Sequence, residues 1–314
     1  MRNIKEYAEV QIKQIRAIVG GEKILLALSG GLDSSVCAAL LAMAVPRQLV
    51  CIFVDHGLMR LGESDEIESA VSNKGTKFIR VNAADRFLEK LKGITDPEEK
   101  RKIVGEEFIR VFEEEAAKLG SIPFLAQGTI YPDIAESGGK YGTMVKSHHN
   151  VGGLPKNLNF IKLIEPLSRL YKNEVRELGR ELKLAPSLIN RQPFPGPGLS
   201  VRIMGEVTAE KLDILRQADA IFLQEIDKLP QKPSQYFAVL TDTSSVGIKG
   251  DTRTYDPVIA LRAVNTEDFM NASITHIPYE VLEHVVSRIT SEIPQISRVV
   301  YDITPKPTGT VEWL

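Results

Sequence analysis

Cysteine, tryptophan and long apolar runs are scarce in this sequence, and its charges nearly cancel. Two cysteines in 314 residues exclude the disulfide framework of a cysteine-dense secreted scaffold. Cys37 and Cys51 lie inside the apolar strings SSVCAALLAM and QLVCIFVDH and read as buried small hydrophobes. No Cys-x-x-Cys pair offers zinc ligands. No apolar stretch approaches the ~20 residues a bilayer-spanning helix needs. The first residues, MRNIKEYAEVQIKQIRAIVGG, are charged and amphipathic and lack the apolar centre of a leader peptide. A cytoplasmic location is therefore expected. With 39 basic against 41 acidic residues, the formal net charge of -2 provides no global field for nucleic acid. Neither a nucleic-acid nor a membrane partner is expected, and any ligand has to be argued from local sites.

What is present is a patterned globular chain. Its length suggests two domains. Residues 4–19 carry apolar positions at helical spacing, and Gly20-Gly21 stops that helix. The run 23–28 (KILLAL) is short and continuously apolar, as buried parallel strands are. Further runs at 49–54, 77–81 and 123–126 alternate with helices at 36–45, 63–74 and about 97–119. Alternation of this kind predicts an α/β fold, a mostly parallel sheet with helices on both faces. The loops 29–35, 55–60 and 127–133 each follow the carboxyl end of a strand, where such sheets bind ligands.

From Arg191 the texture changes. The string 191–198 (RQPFPGPG) suits neither helix nor central strand. After it come a strand (200–204), a helix (208–227), strands at 235–240 and 255–264, a helix (279–293) and a strand (298–303). The expected division is 1–190 for the α/β domain and 191–314 for a smaller α+β domain. The charged segment 97–119 reads first as a solvated helical face, with partner docking as the alternative.

The string Ser29-Gly30-Gly31-Leu32-Asp33-Ser34-Ser35 joins a buried strand to a helix N-terminus. Such a turn aims several backbone N–H groups at one point, and the helix dipole favours an anion there. Gly30 and Gly31 permit close approach, the serines offer hydroxyls, and Asp33 can hold magnesium against phosphates. A lone Gly-Gly would more often be an ordinary tight turn. The absence of Gly-Lys-Ser/Thr and of Gly-x-Gly-x-x-Gly excludes a Walker loop and a dinucleotide fingerprint.

This string resembles the Ser-Gly-Gly-x-Asp-Ser signature of the PP-loop ATP pyrophosphatases, which cleave ATP between the α and β phosphates. Within that family, the strings at 54–60, 127–133, 146–153, 193–199, 298–303 and 311–313 look like GMP synthetases, in the same order over the whole chain. The resemblance implies adenylation of XMP by ATP-Mg with release of pyrophosphate, then displacement of AMP by ammonia to give GMP. Neither cysteine lies in an amidotransferase setting, so it also implies a separate glutamine amidotransferase subunit as the ammonia source. A homodimer through the second domain is implied as well.

Residue by residue, the resemblance assigns Ser29, Gly30, Gly31, Leu32, Asp33, Ser34 and Ser35 to ATP, with Asp33 also to magnesium. It assigns Lys146 to charge balance at the α-phosphate. Asp133, Glu136, His148 and His149 fall in a glycine-rich lid, 133–153. The adjacent histidines lack a carboxylate or cysteine at ligand spacing, so substrate contact or lid packing outranks zinc. Arg60, Pro195, Gly196, Gln235, Arg298, Lys306, Val311 and Glu312 are assigned to XMP, with an exposed surface arginine as the plain alternative for Arg60. Leu314 stands where the family usually has glutamate. The competing readings are another PP-loop amidating synthetase, such as an NAD synthetase, and a non-catalytic nucleotide-binding module.

Overall fold

The computed structural model describes residues 3–72, 75–136, 160–266 and 270–314. The chain packs as two compact units. The first comprises Met1–Gly57, Gly62–Ala84 and Val104–Gly196, and the second Leu58–Leu61, Asp85–Ile103 and Pro197–Leu314. The units are thus discontinuous in sequence, which one cut near residue 191 does not express.

In chain order the elements begin with α1 (Ile4–Val19), β1 (Ile24–Leu28), α2 (Leu32–Ala44), β2 (Leu49–Asp55), α3 (Glu63–Val71) and β3 (Lys77–Asn82). Next come α4 (Ala84–Leu91), α5 (Pro97–Ala117), β4 (Phe124–Ala126), α6 (Tyr131–Glu136), β5 (Lys162–Ile164), α7 (Lys172–Glu181) and α8 (Pro186–Ile189). The series closes with α9 (Ala209–Ile226), β6 (Gln235–Lys249), β7 (Thr252–Asn265), β8 (Ser273–Ile274), α10 (Tyr279–Glu292) and β9 (Arg298–Asp302).

In the first unit, β1 to β5 form a parallel five-stranded sheet in the order β3-β2-β1-β4-β5. The residues of β1 and β2 are almost all buried, which is why they read as unbroken apolar runs. Each fully buried leucine or isoleucine there contributes about 1.5–3 kcal/mol. Helix α1 starts at Asn3, whose Oδ1 accepts the Glu6 N–H at 3.2 Å, and ends at Gly20 with φ of 56°. It buries Ala8, Ile15 and Val19. The strand order reverses between β1 and β4, the position where an open α/β sheet leaves a crevice at its carboxyl edge. The loops leaving β1 and β4 are 29–35 and 127–133.

The second unit carries a four-stranded sheet. Its β7 pairs antiparallel with β6 and β8 and parallel with β9. Helix α9 is capped by Thr208, whose Oγ1 accepts the Lys211 N–H at 3.2 Å. It is locked to β6 by Asp219, whose Oδ1 accepts the Ala238 N–H at 2.9 Å. The rings of Phe222 and Tyr236 meet edge to face at 6.3 Å.

Three expectations are corrected. Residues 198–202 form a 3₁₀ turn (Gly198–Arg202), not the start of a strand. Gly198 has φ of 63°, and a Cβ on it would lie 2.4 Å from the Leu58 carbonyl oxygen. Backbone packing against residue 58 therefore overrides the β-branched run that suggested a strand. The hairpin of β6 and β7 extends well past Leu240, through a polar stretch that hides it from hydropathy. Helix α5 is more than a solvated face, because Lys100, Val104, Glu107, Val111, Phe112 and Ala116 are buried. The short β5, α6 and α8 carry too few residues for a periodic signal. Among the described residues, no helix is long and apolar enough to cross a membrane.

Candidate active site

The turn from β1 into α2 is ordered by its own serines. Ser29 Oγ and Ser34 Oγ lie 3.0 Å apart, and Ser34 Oγ donates to the Gly31 carbonyl at 3.0 Å. Ser34 and Ser35 are buried in the first turn of α2. Gly30 has φ of 80°, and the α2 cap residue Gly31 carries no side-chain cap. The first N–H groups of the helix are thus left for a ligand, and the dipole there favours negative charge.

Asp33, in the first turn of α2, accepts from Lys172 Nζ through both oxygens, at 2.9 and 2.7 Å. Lys172 opens α7, 139 residues away. Arg191 Nη1 donates to the Gly30 carbonyl at 3.0 Å and pairs with Glu63 at 2.9 Å, while Nη2 reaches Glu66 at 2.8 Å. Two cations therefore sit at the 29–35 turn, one at Gly30 and one at Asp33. Neither was marked by the sequence. Lys172 looks like any lysine at a helix start, and Arg191 like the first residue of a linker.

The loop after β4 is pressed onto the same turn. A Cβ on Gly128 would lie 2.9 Å from the Asp33 carbonyl carbon, so only glycine allows that approach. Thr129 Oγ1 donates to Glu165 Oε1 at 2.6 Å. Asp133 Oδ2 accepts the Ile130 N–H at 3.0 Å and so caps α6, which ends at Glu136. Lys146, His148 and His149 lie outside the described residues. At the end of β2, burial pushes the Asp55 carboxyl up. The hydrogen bonds of Arg80, the Gly57 amide and Ser64, with the Arg80 charge, outweigh that and hold it below the ordinary range. Burial pushes the Cys51 thiol up to about 12 and the Cys37 thiol further, so both are inert packing residues.

Among the described residues, no group of three or more His, Cys, Asp or Glu side chains could hold a metal. A single carboxylate at Asp33, in the first turn of a helix whose N-terminus favours anions, nevertheless suits magnesium. That ion takes one or two protein carboxylates and completes its shell with phosphates and water.

The XMP assignments divide between the units. Pro195 is half-buried and Gly196 exposed at the end of the first unit. Arg60, Gln235, Arg298, Lys306, Val311 and Glu312 belong to the second. Arg60 is not an exposed surface arginine. Its side chain is 10% exposed and pairs with the buried Asp219 at 2.9 Å. Gln235 is buried at the start of β6. Arg298 is exposed at the start of β9 and donates to Ser245 Oγ at 2.5 Å. Lys306 exchanges backbone hydrogen bonds with Ala272, at 2.8 and 3.0 Å. Glu312 is gripped by the fully buried Arg202, at 2.7 and 3.0 Å. Val311 packs with Trp313 on Phe237, Val239 and Ala260.

Comparison with known proteins finds relatives along nearly the whole chain. Residues 224–313 match the family described as the GMP synthase C terminal domain. The glutamine-hydrolysing GMP synthase of Finegoldia magna is 59% identical over 99% of this chain and 61% of its own length. That of Treponema denticola is 61% identical over 99% of this chain and 60% of its own. Among solved structures, an NH3-dependent NAD synthetase from Campylobacter jejuni is 16% identical with a TM-score of 0.45, over 60% of this chain and 78% of that one. The chain thus spans about three-fifths of the length of the curated relatives it matches. By sequence it is similar to the glutamine-hydrolysing GMP synthases over 99% of its length, and its residues 224–313 match the family described as the GMP synthase C terminal domain.

Proposed function

We propose that this chain catalyses the ATP-dependent amination of XMP to GMP. The observation that carries the reading is the Ser29–Ser35 turn at the carboxyl edge of the parallel sheet, in a chain 59% identical to GMP synthases. The xanthine C2 oxygen is a poor leaving group. Transfer of AMP from ATP to that oxygen releases pyrophosphate and makes AMP the leaving group, which ammonia then displaces. The chain's tasks are to neutralise phosphate charge, to hold two nucleotides in line and to keep water from the adenylated intermediate.

The free N–H groups at the start of α2 and the Ser29, Ser34 and Ser35 hydroxyls bind the pyrophosphate portion of ATP. Asp33 would hold magnesium, which would supply charge neutralisation for the phosphates. Lys172, which grips Asp33 through both oxygens, brings a cation to the same phosphates. Lys146, in the lid 133–153 with Asp133, Glu136, His148 and His149, balances charge on the α-phosphate. Arg60, Arg298 and Lys306 meet the XMP phosphate, and Gln235, Val311, Glu312, Pro195 and Gly196 its sugar and base.

We place the reaction in the cytoplasm, with ammonia supplied by a separate glutamine amidotransferase subunit. The active form is a homodimer through the second unit. Val246 and Tyr255 are cross-strand partners that leave the β6–β7 hairpin 54% and 73% exposed, a surface suited to a second copy.

The test mixes the purified chain with ATP, magnesium, XMP and ammonium, and follows GMP and pyrophosphate. GMP from ammonium and none from glutamine alone is the expected result. GMP from glutamine alone would overturn the separate-subunit proposal. No XMP-dependent pyrophosphate would overturn the function.

A further inference from the structure

Two arginines that the reading above leaves without a task are buried in the second unit. Arg202 is 0% exposed and Arg262 is 1% exposed. Removing a guanidinium from water costs several kcal/mol unless every donor is matched, and an apolar core of the same volume is often as stable. Their partners show what they are used for. Arg202 Nη2 and Nε donate to the two oxygens of Glu312 at 2.7 and 3.0 Å, and its guanidinium carbon lies 4.0 Å from the centre of the Phe237 ring. Arg262 donates to Asp302 Oδ2 at 2.6 Å and to the carbonyls of Thr304, Thr310 and Val311 at 2.9, 2.6 and 2.8 Å.

Every one of these acceptors lies between residues 302 and 312. Beyond β9 that stretch has no helix or strand, and its backbone bonding is a bridge from Lys306 to Ala272 and a turn from the Gly309 N–H to the Pro305 carbonyl, so the segment 310–312 takes its shape from the arginines. Trp313 Nε1 closes it by donating to the same Asp302 Oδ2 at 2.8 Å. The turn carrying Arg202 is held in its turn by Lys100, whose Nζ donates to the carbonyls of Ile203 and Ser200 at 2.7 and 3.3 Å. Arg101, the next residue, donates to the Leu314 carbonyl oxygen.

We infer that Arg202 and Arg262 are positioning residues for XMP, a clasp that gives the carboxyl-terminal strap its binding shape. This inference rests on the proposed function, which puts Lys306, Val311 and Glu312 on the nucleotide. Arg202 occupies one lone pair on each Glu312 oxygen, fixes the plane of the carboxylate and leaves its remaining lone pairs for N–H or O–H donors of the ligand. Arg262 sets the backbone from which Val311 and Glu312 project. Neither arginine touches the nucleotide.

The test measures XMP affinity by calorimetry and steady-state kinetics on the full chain, for Arg202→Met, Arg202→Lys, Glu312→Gln and the Arg202→Met/Glu312→Gln double variant. The expected result is an XMP Kd and KM raised at least tenfold in each Met or Gln single variant. The double variant should be no worse than the worse single one, and KM for ATP should stay within twofold. Arg202→Lys keeps the charge, loses the planar fork and should fall between, and it stands in if the Met variant does not fold. Unchanged XMP affinity in Arg202→Met or Arg202→Lys, multiplicative effects in the double variant, or an equal rise in KM for ATP would overturn the clasp. A wild-type chain that binds no XMP would overturn the proposed function instead.

Discussion

The phosphate turn and the carboxyl-terminal strap are two candidate binding surfaces built in opposite ways. The turn is made of seven consecutive residues whose hydrogen bonds to one another span two to five positions, Ser29 to Ser34 at the widest, with Arg191 and Lys172 added from outside at Gly30 and Asp33. The strap is held by two arginines whose bonds to it span 40 to 110 positions, from Arg262 to Asp302 and from Arg202 to Glu312. A local site offers its ligand backbone N–H groups and a helix end, so its chemistry survives as long as the strand and helix that flank it. A site held by distant ion pairs depends on the packing of a whole unit. It is exposed to any change that moves one partner.

This contrast can be broken experimentally. The largest effect should come from Asp33→Asn, which removes the charge that Lys172 grips and the proposed magnesium ligand. XMP-dependent pyrophosphate release should fall about 10²–10³-fold, the size seen when one positioned electrostatic group is lost. Calorimetric XMP affinity should be unchanged. A parallel loss of XMP affinity would refute the independence of the two sites.

Next is the second unit's backbone. Gly198→Ala places a Cβ 2.4 Å from the Leu58 carbonyl oxygen at φ of 63°. It should destabilise the protein by about 2–4 kcal/mol, read as a lowered urea midpoint. Gly93 has φ of 73°, and a Cβ added there would meet nothing within 4 Å. Gly93→Ala should therefore cost only about 1 kcal/mol of backbone strain. Equal losses in the two variants would show that conformational strain, and not the contact with residue 58, governs this region.

A smaller effect is expected from pH. Burial, reinforced by the Lys211 charge and opposed by Asp96, lowers the Lys100 ammonium from 10.5 to about 8. Between those values the unfolded chain binds more protons than the folded one, so stability should rise with pH from about 8 toward 10.5. Lys100→Met should flatten that rise in urea titrations at successive pH values. Glu225 provides the acid counterpart. Its hydrogen bond from Lys228, with those of Arg288 and His284, outweighs burial and lowers it to about 2. Its contribution is fully present above about pH 4.5 and lost as pH falls toward 2. The advantage of wild type over Glu225→Gln should shrink across that interval.

The smallest effect concerns the cysteines. Cys37 and Cys51 are buried with raised pKa values, so the native chain should resist iodoacetamide at pH 8 while the urea-unfolded chain reacts at both. Modification of Cys37 or Cys51 in the native state would mean that the core around α2 or β2, respectively, opens locally.

These differences explain what was legible. β1, α2 and the Ser29–Ser35 turn could be read directly, because an unbroken apolar run followed by Gly-Gly, Asp and serines has few structural meanings. Lys172 and Arg191 could not, since a lone lysine or arginine in a sequence states no partner. The strand expected at 200–204 failed for a related reason. Its β-branched residues favour extension, but Gly198 packs against Leu58 and Lys100 takes the carbonyls of Ser200 and Ile203.

By itself, the sequence determined the alternating parallel architecture, the turn that opens α2 after Gly30-Gly31 and the buried character of the two cysteines. Each follows from periodicity or from neighbours within a few residues. The tertiary structure alone decided that Lys172 meets Asp33, that Arg60 turns inward to Asp219, and that Arg202 and Arg262 clasp residues 302–312. Those are choices among many charged side chains of equal sequence character. Only packing, which brings a few of the many possible partners within reach of each charge, makes the choice.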